Sequence, residues 1–138
     1  MHNESHTTDV VSQLRQHGIF PTGQRLAVAR ALLTRHQHVT ADQLQAKLRD
    51  NGEQVSKATV YNTLNLFADK GLIREIVVDP AHVYFDSNST PHHHFYNVDE
   101  GMLLDSGLPL CELLPSIQLP QGTVLDEVDV IIKIRNRA

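Results

Sequence analysis

The sequence predicts an α+β fold, and three observations carry that prediction. Four segments within the first 71 residues repeat apolar side chains at helical spacing behind capping residues. Two β-rich runs then flank a turn at residues 79–82. The last third alternates toward strands around one short helical segment.

The elements follow in order. "TTDVVSQLRQHG" sets Val10, Val11 and Leu14 on one face, with Thr8 as the expected cap and Gly18 as the stop. "PTGQRLAVARALLTRH" places Leu26, Ala29, Leu32 and Leu33 at helical spacing behind Thr22. "TADQLQAKLRDNG" separates Thr40 and Gln43 as a capping box does, then supplies Leu44, Leu48 and the terminator Gly52. "SKATVYNTLNLFADKG" opens on Ser56, repeats Val60, Leu64 and Phe67 toward a core, and closes on Gly71. "LIREIVVDPAHVYFD" reads as a hairpin around Asp79 to His82. Helices followed by a two-stranded wing make a winged helix-turn-helix lobe.

Beyond a short polar stretch at "SNST" and Pro91, "HHHFYNV" and "MLLD" read as paired strands. "PLCELL" reads as a short helix starting near Pro109, and "TVLDEVDVIIKIR" as a long strand. The expected organisation is a winged-helix DNA-binding domain over 1–86, a hinge over 87–91, and an α/β dimerisation and metal-sensing domain over 92–138. Fewer than 50 residues rarely close a core alone, so this last part is expected to pair with a copy of itself.

Composition bounds the function. The 138 residues are 41% apolar and 20% charged, without an apolar run long enough to span a membrane. The first residues show no apolar h-region behind a basic start, so the cytoplasm is the expected compartment and no membrane partner is expected. Cys111 is the single cysteine, which excludes an intramolecular disulfide and a structural zinc held by CxxC pairs. The net charge of −4 is uneven: residues 1–90 hold nine Lys/Arg against nine Asp/Glu, and residues 91–138 three against seven.

In a helix-turn-helix lobe, the second helix of the pair presents its first turns to the major groove. "SKATVYNTLN" fits that role. Ser56 and Lys57 can meet phosphates, Asn62 and Asn65 carry the amide suited to adenine, Tyr61 can pack on a thymine methyl or bond a phosphate, and Thr59 is a further candidate DNA-binding residue. Arg25 is a candidate backbone or minor-groove contact. The same polar face would equally serve a plain solvated helix, or a winged helix that binds protein.

Nine histidines are the compositional oddity, and three are consecutive: His92, His93 and His94. On a strand His92 and His94 share one face and His93 takes the other. A pair at i and i+2 can converge on one ion, with Asp86 at the end of the wing, Asp105 at the end of the next strand and His38 in the turn before the third helix as further ligands. Imidazole and carboxylate donors without thiolate suit Fe(II), Mn(II) or Zn(II).

"TGQRLAVARALL", "HVTADQL", "VSKATVYNTLNLFADKGLI" and "YFD" before the histidine cluster resemble, in this order, the ferric uptake regulator superfamily over nearly the whole chain. The resemblance implies an amino-terminal winged helix and a carboxyl-terminal α/β dimerisation domain. It implies a regulatory metal site of His38, Asp86, His92, His94 and Asp105, with the Asp86-to-histidine spacing of the peroxide-sensing branch. The family's DNA-contacting tyrosine and arginine fall on Tyr61 and Arg25, and a second metal or haem site on His93, Glu112 and Glu127. The cysteine-free "HHHFYNV" with "VDVIIKIRNR" looks most like the iron response regulator branch, which implies haem as a further cofactor. A Cys-Pro haem motif is missing, because Glu112 follows Cys111.

The expectation is therefore a non-enzymatic, iron- or haem-linked transcription regulator, with repression and activation both open. It would act as a homodimer or higher oligomer on an inverted repeat in double-stranded DNA. The alternatives are a manganese-, zinc- or peroxide-responsive regulator of the same fold, or a small metal-dependent hydrolase. The hydrolase lacks an evident general base beside the histidines.

Overall fold

A computed structural model describes residues 2–90, 92–107 and 117–138. The chain divides into two units, Met1–Ser89 and Thr90–Ala138. Among the described residues no helix is long and apolar enough to cross a membrane.

The first unit is built on α1 (His2–Gln16), α2 (Gly23–Leu33), α3 (Ala41–Asp50) and α4 (Lys57–Asp69). The Thr22 hydroxyl accepts the Arg25 amide at the start of α2, and the Ser56 hydroxyl accepts the Thr59 amide at the start of α4. At α3 both halves of the capping box form: Gln43 N–H donates to Thr40 Oγ1 (3.1 Å) and Thr40 N–H to Gln43 Oε1 (3.0 Å). Gly71, at φ 76°, lets the chain turn back after α4 so that the Leu72 amide donates to the Phe67 carbonyl at 2.9 Å. The expected cap at Thr8 is wrong, since α1 already runs from His2. Apolar periodicity begins only at Val10, so the pattern does not mark the start of this helix.

Leu14, Val28, Leu32, Leu44, Leu48, Val60, Leu64, Phe67 and Phe85 are at most 1% exposed and form the core. Each such side chain contributes about 1.5–3 kcal/mol when taken out of water. Helix α2 packs against α1, α3 and α4, so it buries Ala27, Val28 and Ala31 as well as the expected Ala29 and Leu32. That is why its apolar residues do not keep to one face.

The wing forms as expected from β2 (Arg74–Asp79) and β3 (His82–Asp86), antiparallel. In the turn, His82 Nδ1 donates to Asp79 Oδ1 at 2.8 Å, which holds the Asp79 carboxyl below its usual range. A third strand joins it: β1 (His38–Val39) pairs antiparallel with β3, giving the order β1-β3-β2. His38 therefore sits on a strand and not in a turn.

The second unit contains β4 (His94–Asn97), β5 (Met102–Asp105) and β6 (Ile131–Ile134), ordered β5-β4-β6. β4 runs antiparallel to β5 and parallel to β6. The expected long strand is reduced to β6, the four residues that pair with the four of β4, with the Val130 carbonyl just before it accepting the His94 amide at 3.2 Å. The helix expected near Pro109 lies outside the described residues.

Candidate metal-binding and DNA-contacting residues

In the first unit the sheet register sets the site. His38 on β1, Asp86 on β3 and Arg74 on β2 stand opposite one another in one row across three strands. Directly opposed residues share a face, so an imidazole, a carboxylate and a guanidinium line up. Asp86 is fully buried. Its Oδ2 receives His38 Nε2 at 3.0 Å, and its Oδ1 receives His36 Nε2 at 3.0 Å and the Asn88 amide at 2.8 Å.

Gln37 fixes the two histidines on either side of it. Its backbone amide donates to Ser87 Oγ (2.9 Å) and its carbonyl accepts the Ser87 amide (3.1 Å). Its side-chain amide donates to the Ala31 and Leu32 carbonyls at the end of α2, while its oxygen accepts Lys47 Nζ at 2.8 Å. With Gln37 held this way, residues 36 and 38 turn toward the opposite side. Burial, and then the charge of Arg35, lowers the pKa of Lys47.

In the second unit, His94 pairs in register with Asp105. Asp105 Oδ1 lies 2.6 Å from His92 Nε2 and 3.4 Å from His94 Nε2. The two rings lie 4.4 Å apart, so the expected i, i+2 pair forms although His92 precedes β4. His92 Nδ1 donates to the Thr90 carbonyl at 2.6 Å. That bond fixes the ring with Nε2 facing Asp105. His93 takes the other side: it is fully buried, and among the described residues neither ring nitrogen has a hydrogen-bond partner.

Each carboxylate thus gathers two imidazoles within its own unit, His36 and His38 about Asp86, and His92 and His94 about Asp105. The sequence reading missed His36, whose only signal was its i, i+2 relation to His38. Of the second expected set, Glu127 is exposed on the irregular stretch before β6, and Glu112 lies outside the described residues.

The expected nucleic-acid contacts cluster on α4 and the start of α2. Arg25, Thr59 and Asn62 line one groove of about 480 Å³, with Thr22, Gln24 and Thr63. Arg25 Nη1 donates to the Phe20 carbonyl at 2.9 Å, which holds the guanidinium at the groove edge. Tyr61, Asn62 and Asn65 are exposed. Ser56 is engaged as the cap and also donates to Thr59 Oγ1 at 2.9 Å. Lys57 Nζ pairs with Asp42 Oδ1 at 3.0 Å, and that hydrogen bond raises its pKa.

Residues 16–110 match the profile of the Ferric uptake regulator family. The chain belongs to this family. The peroxide-responsive repressor PerR of Staphylococcus aureus is 34% identical over 106 residues, covering 77% of this chain and 72% of that protein. The ferric uptake regulator of Pseudomonas aeruginosa, solved with manganese, is 26% identical, with a TM-score of 0.70 over 92% of this chain and 97% of that one. The Vibrio cholerae ferric uptake regulator shares the fold at 24% identity, with a TM-score of 0.72 over 91% and 98% of the two chains. The α+β architecture is that of the ferric uptake regulator family, and it agrees with the fold read from the sequence.

Proposed function

We propose that this family member is a divalent-metal-responsive transcription regulator that binds double-stranded DNA as a homodimer. The observation that carries the reading is the gathering of two imidazoles about one carboxylate in each unit. Nitrogen and oxygen donors without a thiolate suit Fe(II), Mn(II) or Zn(II). In this reading His38, Asp86, His92, His94 and Asp105 hold one regulatory ion, whose charge replaces the protons that the imidazoles now share with the carboxylates. Drawing ligands from both units makes their arrangement depend on the ion. A coupling of ~1–3 kcal/mol changes DNA affinity about five- to 150-fold.

The other parts have separate support. Tyr61, Asn62 and Asn65 give α4 an exposed polar face for base edges, with Arg25 beside it. Dimer formation is supported by apolar side chains that the second unit leaves exposed, among them Met102, Leu104, Val124 and Leu125. His93, with Glu112 and Glu127, is proposed as a second site, because a buried imidazole with two unpartnered nitrogens calls for a ligand.

Fe(II) is the effector favoured by the resemblance to iron regulators. A peroxide-responsive reading is favoured by the 34% identity to PerR. Haem rests on the branch resemblance alone. The test selects an operator from a randomised duplex library. Binding is then measured without metal, with Fe(II), Mn(II), Zn(II) or haem, and with Fe(II) followed by hydrogen peroxide. Metal should tighten binding at least fivefold in the wild type and not after His92→Ala with His94→Ala. Affinity that is unchanged by every effector would reject the proposal.

A further inference from the structure

We propose that His36, His38 and Asp86 form a divalent-cation site complete within the amino-terminal unit, with His36 a ligand beyond the five residues assigned above. The inference rests on the metal-responsive reading of Asp86 and deepens it.

Both imidazoles present the same ring nitrogen, Nε2, to one buried carboxylate, each at 3.0 Å from a different oxygen. One ring nitrogen of each histidine and a carboxylate oxygen of Asp86 lie within 4.8 Å of one another. Ligands at ~2.1 Å from an ion and at right angles to each other stand about 3.0 Å apart, so each nitrogen-to-oxygen spacing is already that of adjacent ligands. The rings cross at 64° with centroids 5.3 Å apart, which lets both lone pairs turn toward one point without the rings stacking.

The scaffold is rigid where it must be. Gln37, between the two histidines, is tied to Ser87, to the end of α2 and to Lys47, and β1 is paired with β3. The burial is graded as an entry path requires: the Asp86 side chain is 0% exposed, His38 12% and His36 43%. His36 also lines a cleft of about 480 Å³ together with Gln13, His17, Arg35, Ser87 and Asn88. An ion can therefore reach Asp86 past His36 from the solvent side of this unit alone.

Arg74 opposes Asp86 in register on the same face of the sheet, which places a positively charged residue across from the carboxylate. That weighs against hard cations such as Mg²⁺ or Ca²⁺, which depend on carboxylate charge, and favours ions that bind imidazole strongly. The site thus has a two-histidine, one-carboxylate donor set, and His36 raises the first unit from two ligands to three. In the plain structural alternative, the two histidines only donate hydrogen bonds to a buried carboxylate.

The test uses the full chain and Co(II) or Mn(II) as the probe. In the His92→Ala/His94→Ala protein, one Co(II) per chain should still bind by competition titration. Adding His36→Ala should weaken that binding at least about tenfold. Pulsed EPR of Mn(II) in the same His92→Ala/His94→Ala protein should count two imidazole nitrogens, a readout that needs no His36 variant to fold. One nitrogen, unaltered affinity on adding His36→Ala, or no Co(II) uptake by the His92→Ala/His94→Ala protein while the wild type binds would each overturn the inference and leave the regulator reading standing. Absence of uptake by the wild type would overturn both.

Discussion

Asp86→Asn is the most informative single change, because it removes the charge while keeping the volume. The carboxylate accepts His36 and Asn88 at one oxygen and His38 at the other. The amide keeps one oxygen and turns a donor toward the remaining partner, so one hydrogen bond to a charged group is lost in a fully buried place. Such a bond is worth about 1.5–3 kcal/mol. For a unit of this size each kcal/mol moves the melting temperature by about 4–8 °C, so a cost near 2 kcal/mol lowers it by about 8–16 °C. The assay is thermal unfolding of the helical unit at 222 nm in EDTA, repeated with Mn(II) at about a hundred times its Kd. Mn(II) should add about 2.7 kcal/mol to the wild type and much less to the variant. If the two proteins melt together in EDTA and gain equally from Mn(II), the carboxylate neither holds the imidazoles nor binds the ion.

Three further outcomes follow from the same structure. Thr40→Ala removes the hydroxyl arm of the α3 capping box and should cost about 1 kcal/mol, seen as a Tm lower by about 4–8 °C; an unchanged Tm would show that this arm adds nothing. Asn62→Ala, on the exposed face of α4, should weaken binding to the selected operator by about 1–3 kcal/mol, roughly five- to 150-fold, with unfolding left alone. Equal affinity would remove Asn62 from the contact surface. Leu104→Glu places a charge on the exposed apolar side of β5 and should convert the proposed dimer to a monomer in light scattering; a persisting dimer would move the interface elsewhere.

Much of the fold was legible because its signals are local. Thr22, Thr40 and Ser56 each lie within three residues of the amide they cap, and the Asp79–His82 turn sits between two alternating runs. The pairing of His92 with His94 was legible from their i, i+2 spacing, although His92 lies just outside β4. What escaped was set by contacts distant in sequence. The two-residue strand β1 has no periodicity of its own and exists by pairing with β3, nearly fifty residues on. β6 is limited to the residues that pair with β4.

From the sequence alone came the helices and their caps, the wing, the donor chemistry of the histidine cluster, and enough motif order to indicate the family. Only the tertiary structure brought His36 to Asp86, fifty residues away, and set Arg74 across from the same carboxylate. The physical reason is range. Caps and periodicity act within a turn or two of the chain, whereas a buried carboxylate acquires its partners from whichever strands the sheet register places beside it.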